Sequence, residues 1–234
     1  MTNQHPSPKR ALKKTLFIRG ALVPLLMLGF TLLVAGRIDY WQGWVYNILN
    51  MIILAVTMIV LADKPDLIEE RLKPGRGMKK WDKVYFAVTT PLYLAALIVS
   101  AIDAGRYGWP PRVPTAVVIL GTVLYVLGQS LFLWAKSVNR FFSAVVRIQT
   151  DRGQIVCKDG PYRWVRHPGY VCGMLFGLSM PLVLGSYWGM IPAAVGNAGL
   201  IIRTGLEDRL LRKELPGYEE YTREVRYRLI PGIW

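Results

Sequence analysis

Two histidines and two cysteines are all that 234 residues contain, and that scarcity removes whole classes of chemistry. No Cys/His spacing has the form of a zinc or haem site. Cys157 and Cys172 fall in a loop and at the mouth of an apolar run, on the side that the charge pattern makes cytoplasmic, where a disulfide is not expected. There is no internal repeat, no low-complexity segment and no glycine-rich phosphate loop at a strand–helix junction, so a soluble nucleotide-binding fold is excluded. Acidic side chains are also few, 15 against 29 Lys and Arg, for a net charge of +14. His5, in the polar start 1–8, has no part in the site assembled below.

What the chain does have is apolar length. At 53% hydrophobic residues it is too apolar for an ordinary soluble domain. Four runs, 20–36, 44–62, 84–102 and 113–135, are each near the ~20 residues a helix needs to cross a bilayer. A fifth region, 170–202, is about twice that measure and is broken by Pro181, Gly185 and Gly189. It is expected to form a helical hairpin turning near Gly185-Ser186. The first run is too long for the apolar region of a signal peptide and has no small-residue cleavage site before further spans. The expected fold is an all-α polytopic membrane protein of about six transmembrane helices, with a C-terminal hairpin and a cytoplasmic cofactor pocket.

The basic residues are distributed as topology requires, so their excess needs no nucleic acid. Lys and Arg number five in 1–19 and seven in each of 63–83, 136–168 and 203–234, leaving only Arg37, Arg106 and Arg112 in the alternate loops. This positive-inside asymmetry puts both termini and the two long basic loops in the cytoplasm. Trp41, Trp44, Trp81, Tyr85, Trp109 and Trp134 flank the spans as interfacial anchors do. Residues 1–135 read as a four-span scaffold and 136–234 as a catalytic region of loop, hairpin and tail, in one structural unit.

Chemistry concentrates in the second part. Gly160-Pro161-Tyr162-Arg163-Trp164-Val165-Arg166-His167-Pro168-Gly169-Tyr170 sets two arginines and a histidine beside two turn formers at the mouth of a membrane helix, and ionisable groups at such places mark sites. Anchoring alone would account for the charge but not for this order of residues. Before it, Gln154-Ile155-Val156-Cys157 leads into the turn Lys158-Asp159-Gly160-Pro161. That stretch reads either as an extended pocket wall or as an amphipathic interfacial segment. After the hairpin, Arg203 and Glu207 lie four apart on one helical face. The two ends of a hairpin are neighbours, so Arg166, His167, Tyr170, Arg203 and Glu207 are expected to converge. Leu210, Leu211, Leu215 and Tyr218 give the helix an apolar face toward the membrane or the loop, and Tyr218, Tyr221, Val225 and Ile230-Pro231 are expected to cover the site.

The series Gly160-Pro161-Tyr162, Arg166-His167-Pro168-x-Tyr170, Arg203-x-x-x-Glu207-Asp208 and Pro216-Gly217-Tyr218-x-x-Tyr221 resembles the isoprenylcysteine carboxyl methyltransferases over roughly residues 139–234. The resemblance implies an integral membrane methyltransferase that uses S-adenosyl-L-methionine on a lipophilic or lipid acceptor, with no nucleic acid or obligate protein partner. It implies that Gln154, Ile155, Val156, Cys157, Tyr162, His167, Pro168, Gly169, Tyr170 and Glu207 bind the cofactor, and that Arg203 and Tyr170 serve catalysis, Arg203 by gripping a substrate carboxylate. No metal is implied. The family has two glutamates where this chain has Glu207-Asp208, and Phe-Gly where it has Pro216-Gly217. The size suggests a bacterial inner-membrane protein, for which a prenylated protein terminus is not the expected acceptor.

Three other readings use the same features. A sterol-reductase-like membrane enzyme shares the Arg-His-Pro-x-Tyr opening of a C-terminal hairpin and would bind NADPH. A methyltransferase could act on a phospholipid amine or a thiol in place of a carboxylate. A non-enzymatic scaffold with basic loops on anionic lipid explains the charge but not the clustering of His167, Tyr170, Arg203 and Glu207. The six-span topology predicts that single cysteines introduced near Arg106 and near Lys79 label from opposite sides of the membrane. Labelling from the same side would overturn it.

Overall fold

The computed structural model describes residues 8–64, 67, 70, 75 and 77–234, with the side chains of 8–21 left aside. His5 and much of the 63–83 loop lie outside the described residues. The described chain is all-helical. Its seven α-helices are α1 (Pro8–Ala35), α2 (Trp41–Val60), α3 (Lys80–Ser100), α4 (Thr115–Val138), α5 (Pro168–Val183), α6 (Met190–Glu214) and α7 (Tyr218–Glu224). A π-helical turn, Ala101–Tyr107, continues α3.

The chain is a polytopic helical membrane protein, and among the described residues three helices are long and apolar enough to cross a bilayer: α2, α3 with its π turn, and α4. The apolar part of α1 with described side chains, Leu22–Ala35, and the helix α5 are shorter. At 16 residues, α5 is about 24 Å long at 1.5 Å per residue, against a hydrocarbon core of about 30 Å. α6 has the length, at 25 residues, but its second half carries the charges from Arg203 to Glu214, too many for a bilayer span. On α4, Ile119, Leu120, Val123 and Leu127 are exposed, which suits a lipid-facing surface and would be an aggregation patch in water.

The hairpin turns where the glycine and proline pattern puts it. α5 ends at Val183, and Gly185 adopts φ +76° to reverse the chain before Ser186, a conformation that glycine reaches without strain. Ser186 donates to Asp103 Oδ2 at 2.6 Å, and Asp103 Oδ1 accepts the Trp109 amide at 2.8 Å. The π turn therefore carries a buried acid whose hydrogen bonds fasten the tip of the hairpin. Tyr40, between α1 and α2, donates to the Leu184 carbonyl beside it. The core of Ala35, Tyr40, Ala96, Leu97, Ala101, Tyr125, Met180, Val183, Leu184 and Ala193 gathers at this end, the end away from the functional residues.

Lipid offers no hydrophobic force between spans, so close backbone approach and interhelical hydrogen bonds hold them. Gly121 and Gly128 on α4 lie against the backbone of α5: a Cβ at Gly121 would stand 2.6 Å from the Leu182 Cβ, and one at Gly128 3.0 Å from the Phe176 nitrogen. Tyr93 of α3 donates to Asn197 of α6, and Tyr125 of α4 to Asn50 of α2 at 2.8 Å. Gly121→Val is expected to overpack the α4–α5 seam and to destabilise by about 1–3 kcal/mol. Ile119→Val, on the exposed face of α4, should change stability by less than about 0.5 kcal/mol. Thermal unfolding of the purified protein in detergent compares the two.

Candidate functional site

The loop between α4 and α5 is held by its own polar side chains. Asn139 accepts the Phe141 amide at 2.9 Å and donates to the Tyr162 hydroxyl at 3.2 Å. Gln149 is buried, donates to the Phe141 carbonyl at 2.6 Å, and has its amide bound by Gln154 at 2.7 Å. Gly160 takes φ +55° against the Trp134 indole, which turns the chain so that Tyr162 points inward. Tyr162 offers its carbonyl to the Tyr221 hydroxyl at 2.6 Å, and this docks α7 onto the Gly-Pro-Tyr turn. Leu215, Tyr218 and Tyr221 complete the closure in an apolar cluster with Ile148, Val156, Leu211 and Val225. The apolar face of the late helix thus lies on the loop.

Between these parts is a cavity of about 800 Å3, its open mouth included. Of the residues implicated by the sequence, Gln154, Ile155, Val156, Cys157, Tyr162, His167, Gly169, Tyr170 and Glu207 all line it. The wall-forming alternative for 154–157 therefore describes that stretch. Pro168 is buried as the first residue of α5 and does not line the cavity. The His167 and Tyr170 rings stack nearly parallel, 3° apart with centroids at 5.6 Å. Tyr170 donates its hydroxyl to Glu207, and no ion pair joins Glu207 to a cation among the described residues. Tyr218 and Tyr221 line the cavity as expected, whereas Ile230 and Pro231 are exposed and do not.

Arg203 sits behind the cavity wall. It pairs with Asp82 of α3, Nε to Oδ1 at 2.8 Å, donates to the Ala144 carbonyl at 2.9 Å and is nearly buried. The expected convergence of Arg203 with Glu207 holds along the helix, but Tyr170 stands between the guanidinium and the open space, its ring 5.2 Å from Arg203 Cζ.

Asp208 was noted in the sequence only as a departure from a paired glutamate, yet it organises the aqueous half of the site. It is 0% exposed and accepts Arg166 Nε at 2.8 Å, Arg166 Nη2 at 3.1 Å, Arg228 Nε at 2.8 Å and the Tyr218 hydroxyl at 3.2 Å. His167 Nε2 and, one turn along α6, Arg212 Nε each lie 3.3 Å away. Arg166 also donates to the Val225 and Arg226 carbonyls, and the backbone amides of Arg166 and His167 donate to the Tyr227 and Arg228 carbonyls, each at 2.9 Å. The tail is thereby strapped across the start of α5. Burial alone would push the Asp208 carboxyl up, but hydrogen bonds from His167, Arg166 and Arg228 outweigh it and hold the group well below the usual carboxylate range. Burial pushes the Tyr218 hydroxyl up, and the Asp208 charge adds to this, so Tyr218 remains a donor. Burial likewise raises the Cys157 thiol, the opposite of a reactive cysteine.

Asp82, Asn139, Gln149 and Arg228 were not singled out in the sequence. Only Asp82 had a signal there, an acid at the start of an apolar span without a neighbour four residues on to pair with.

Residues 116–216 match the family model of phospholipid methyltransferases. The matched stretch runs from α4 to just beyond α6 and contains every cavity residue except Tyr218 and Tyr221. The match supports a membrane methyltransferase, hence an enzyme, and it is not specific to isoprenylcysteine substrates. No curated protein matches the chain.

The strap makes its own prediction. The Asp208 carboxyl is more acidic folded than unfolded, so its stabilisation is complete above about pH 4 and drains only as pH falls through the folded value. Hydrogen-exchange protection of 225–234 should be flat between pH 8 and pH 5. Asp208→Asn leaves Arg166 buried without its counter-ion, a loss of about 3–5 kcal/mol, and should release the tail across that whole range.

Proposed function

We propose that the protein is an S-adenosylmethionine-dependent methyltransferase of the membrane, with about six spans, and that it methylates a lipophilic acceptor at its cytoplasmic face. The observation that carries this reading is the charge left facing the cavity. Arg166 is committed to Asp208, and Arg147 to Glu70 and Asp151. Glu207, hydrogen-bonded by Tyr170, makes no ion pair among the described residues, and the buried Arg203 guanidinium acts on it only through space. A carboxylate facing the cavity suits a donor that carries a sulfonium and an ammonium.

When bound, the donor supplies an electrophilic methyl group on sulfur. Everything else falls to the chain. Glu207 holds positive charge, and its tie to Tyr170 fixes where that charge sits. The stacked His167 and Tyr170 rings form a flat wall for a planar ring system. The α7 and tail closure keeps the cofactor side from bulk water, and the membrane side is left to the acceptor. Methyl transfer is an in-line displacement, so holding both partners in position is the main catalytic task.

The acceptor follows from the same ledger. A carboxylate acceptor would need a cation to orient it, and Arg203, matched to that role by the isoprenylcysteine resemblance, is spent on Asp82. A lipid amine needs no such cation: it reacts as the neutral base, its proton passing to water at the open mouth of the cavity, and Glu207 stays with the donor. We therefore favour a phospholipid-type amine over a carboxyl ester, in keeping with the matched family's description.

Calorimetry on detergent-purified protein with S-adenosylhomocysteine and, separately, NADPH tests the reading. S-adenosylhomocysteine should bind. Glu207→Gln should raise its Kd about tenfold, as for a lost hydrogen bond to a charged group, and His167→Ala should weaken it without unfolding the helices. Binding of NADPH alone would move the protein to the reductase class. Turnover of lipophilic carboxylates but not amines would restore the ester reading.

A further inference from the structure

The Arg203–Asp82 pair is outside the cavity, yet it touches two of its walls. Asp82, in the first turn of α3 and 0% exposed, accepts Arg203 Nε at 2.8 Å on Oδ1. Its Oδ2 accepts Arg203 Nη2 at 3.3 Å and the Val146 amide at 2.7 Å. Arg203 Nη2 donates in turn to the Ala144 carbonyl at 2.9 Å. Ala144 and Val146 alternate with Val145 and Arg147, which line the cavity, so the clasp grips one edge of this segment while the other forms the wall. On its far side the guanidinium lies over three rings, 4.6 Å from Tyr85, 4.9 Å from Phe86 and 5.2 Å from Tyr170. Tyr170 is the residue whose hydroxyl holds Glu207.

A pair serving only to join α3 to α6 would be redundant. Those helices already meet through Tyr93, Asn197 and the close approach of Thr89 to Gly199. Burying two charges is costly unless the geometry also satisfies their remaining hydrogen-bonding atoms. Here those atoms are spent on the loop backbone, and the cation is spent on the ring that orients Glu207.

We infer that Asp82 is a positioning residue of the methyltransferase: through Arg203 it sets the Tyr170–Glu207 arm, and through Val146 it sets the opposite wall, without touching either substrate. This rests on the methyl-transfer reading. It assigns Arg203 to the same clasp and takes it off the substrate.

The test uses the whole chain in detergent, with S-adenosylhomocysteine as calorimetric probe and methyl transfer to whichever lipophilic amine or carboxylate the unaltered protein turns over. Asp82→Asn keeps the shape and removes the charge. It should raise the S-adenosylhomocysteine Kd about tenfold and lower kcat by about ten- to a hundredfold, the scale of an ångström-sized misplacement, with acceptor KM within about twofold. Asp82→Glu, which keeps the charge, should recover part of the loss. If Asp82→Asn does not fold, Phe86→Leu loosens the seat of the guanidinium without stranding a charge and should shift Kd and kcat the same way by a few-fold. Unchanged Kd and kcat in the folded variant overturn the positioning role. So does a rise confined to the KM of carboxylate acceptors, since Arg203 would then be gripping substrate. Failure of the unaltered protein to bind S-adenosylhomocysteine overturns the methyltransferase reading itself, and the positioning role with it.

Discussion

A carboxylate with no exposure, Asp208, in contact with three arginines, a histidine and a tyrosine, is the constraint on which the aqueous half of this protein depends. A buried ion of this kind is tolerated only when nearly all its hydrogen-bonding capacity is used, and the donors that use it come from four places: the turn before α5, the first residue of α7, the tail, and α6 itself. Satisfying Asp208 therefore brings those segments together. The apolar cluster around Leu215, Tyr218 and Tyr221 is small, and without the ionic centre it would be a modest force for folding ten residues of tail over the loop.

Two kinds of cohesion divide the molecule. Toward the tip of the hairpin the helices are held by close contact, with Gly121 and Gly128 against the α5 backbone, and by interhelical hydrogen bonds such as those of Ser186 to Asp103 and Tyr125 to Asn50. Toward the basic loops, ion pairs and a tyrosine cluster take over. The cavity lies in the second region, where α5 begins and α6 emerges. On the proposed methyl-transfer reading, a polar donor and an apolar acceptor would meet there without either having to cross the other's solvent.

The arginines show how charge in such a site is read from partners and not from presence. Arg147, Arg166 and Arg203 all stand in or beside the cavity wall, and each is paired with an acid. Among the described residues, Glu207 faces the cavity with no ion pair of its own.

The apolar runs, the alternation of basic loops, the hairpin turn at Gly185-Ser186 and the wall residues from Gln154 to Glu207 were legible in the sequence, because each rests on short-range rules: span length, positive-inside charge, turn chemistry and helical spacing. The helices nevertheless run beyond the apolar runs, as α3 does from Lys80 through its π turn to Tyr107, since hydropathy marks the lipid layer and not the hydrogen-bonded segment. What only the tertiary structure decided is which charges neutralise which. Arg203 and Asp82 are 121 residues apart, Arg166 and Asp208 are 42 apart, and no local periodicity links such pairs. Their selection follows from where helices of fixed length place their ends, and it alone leaves Glu207 facing the cavity while Arg203 is turned away.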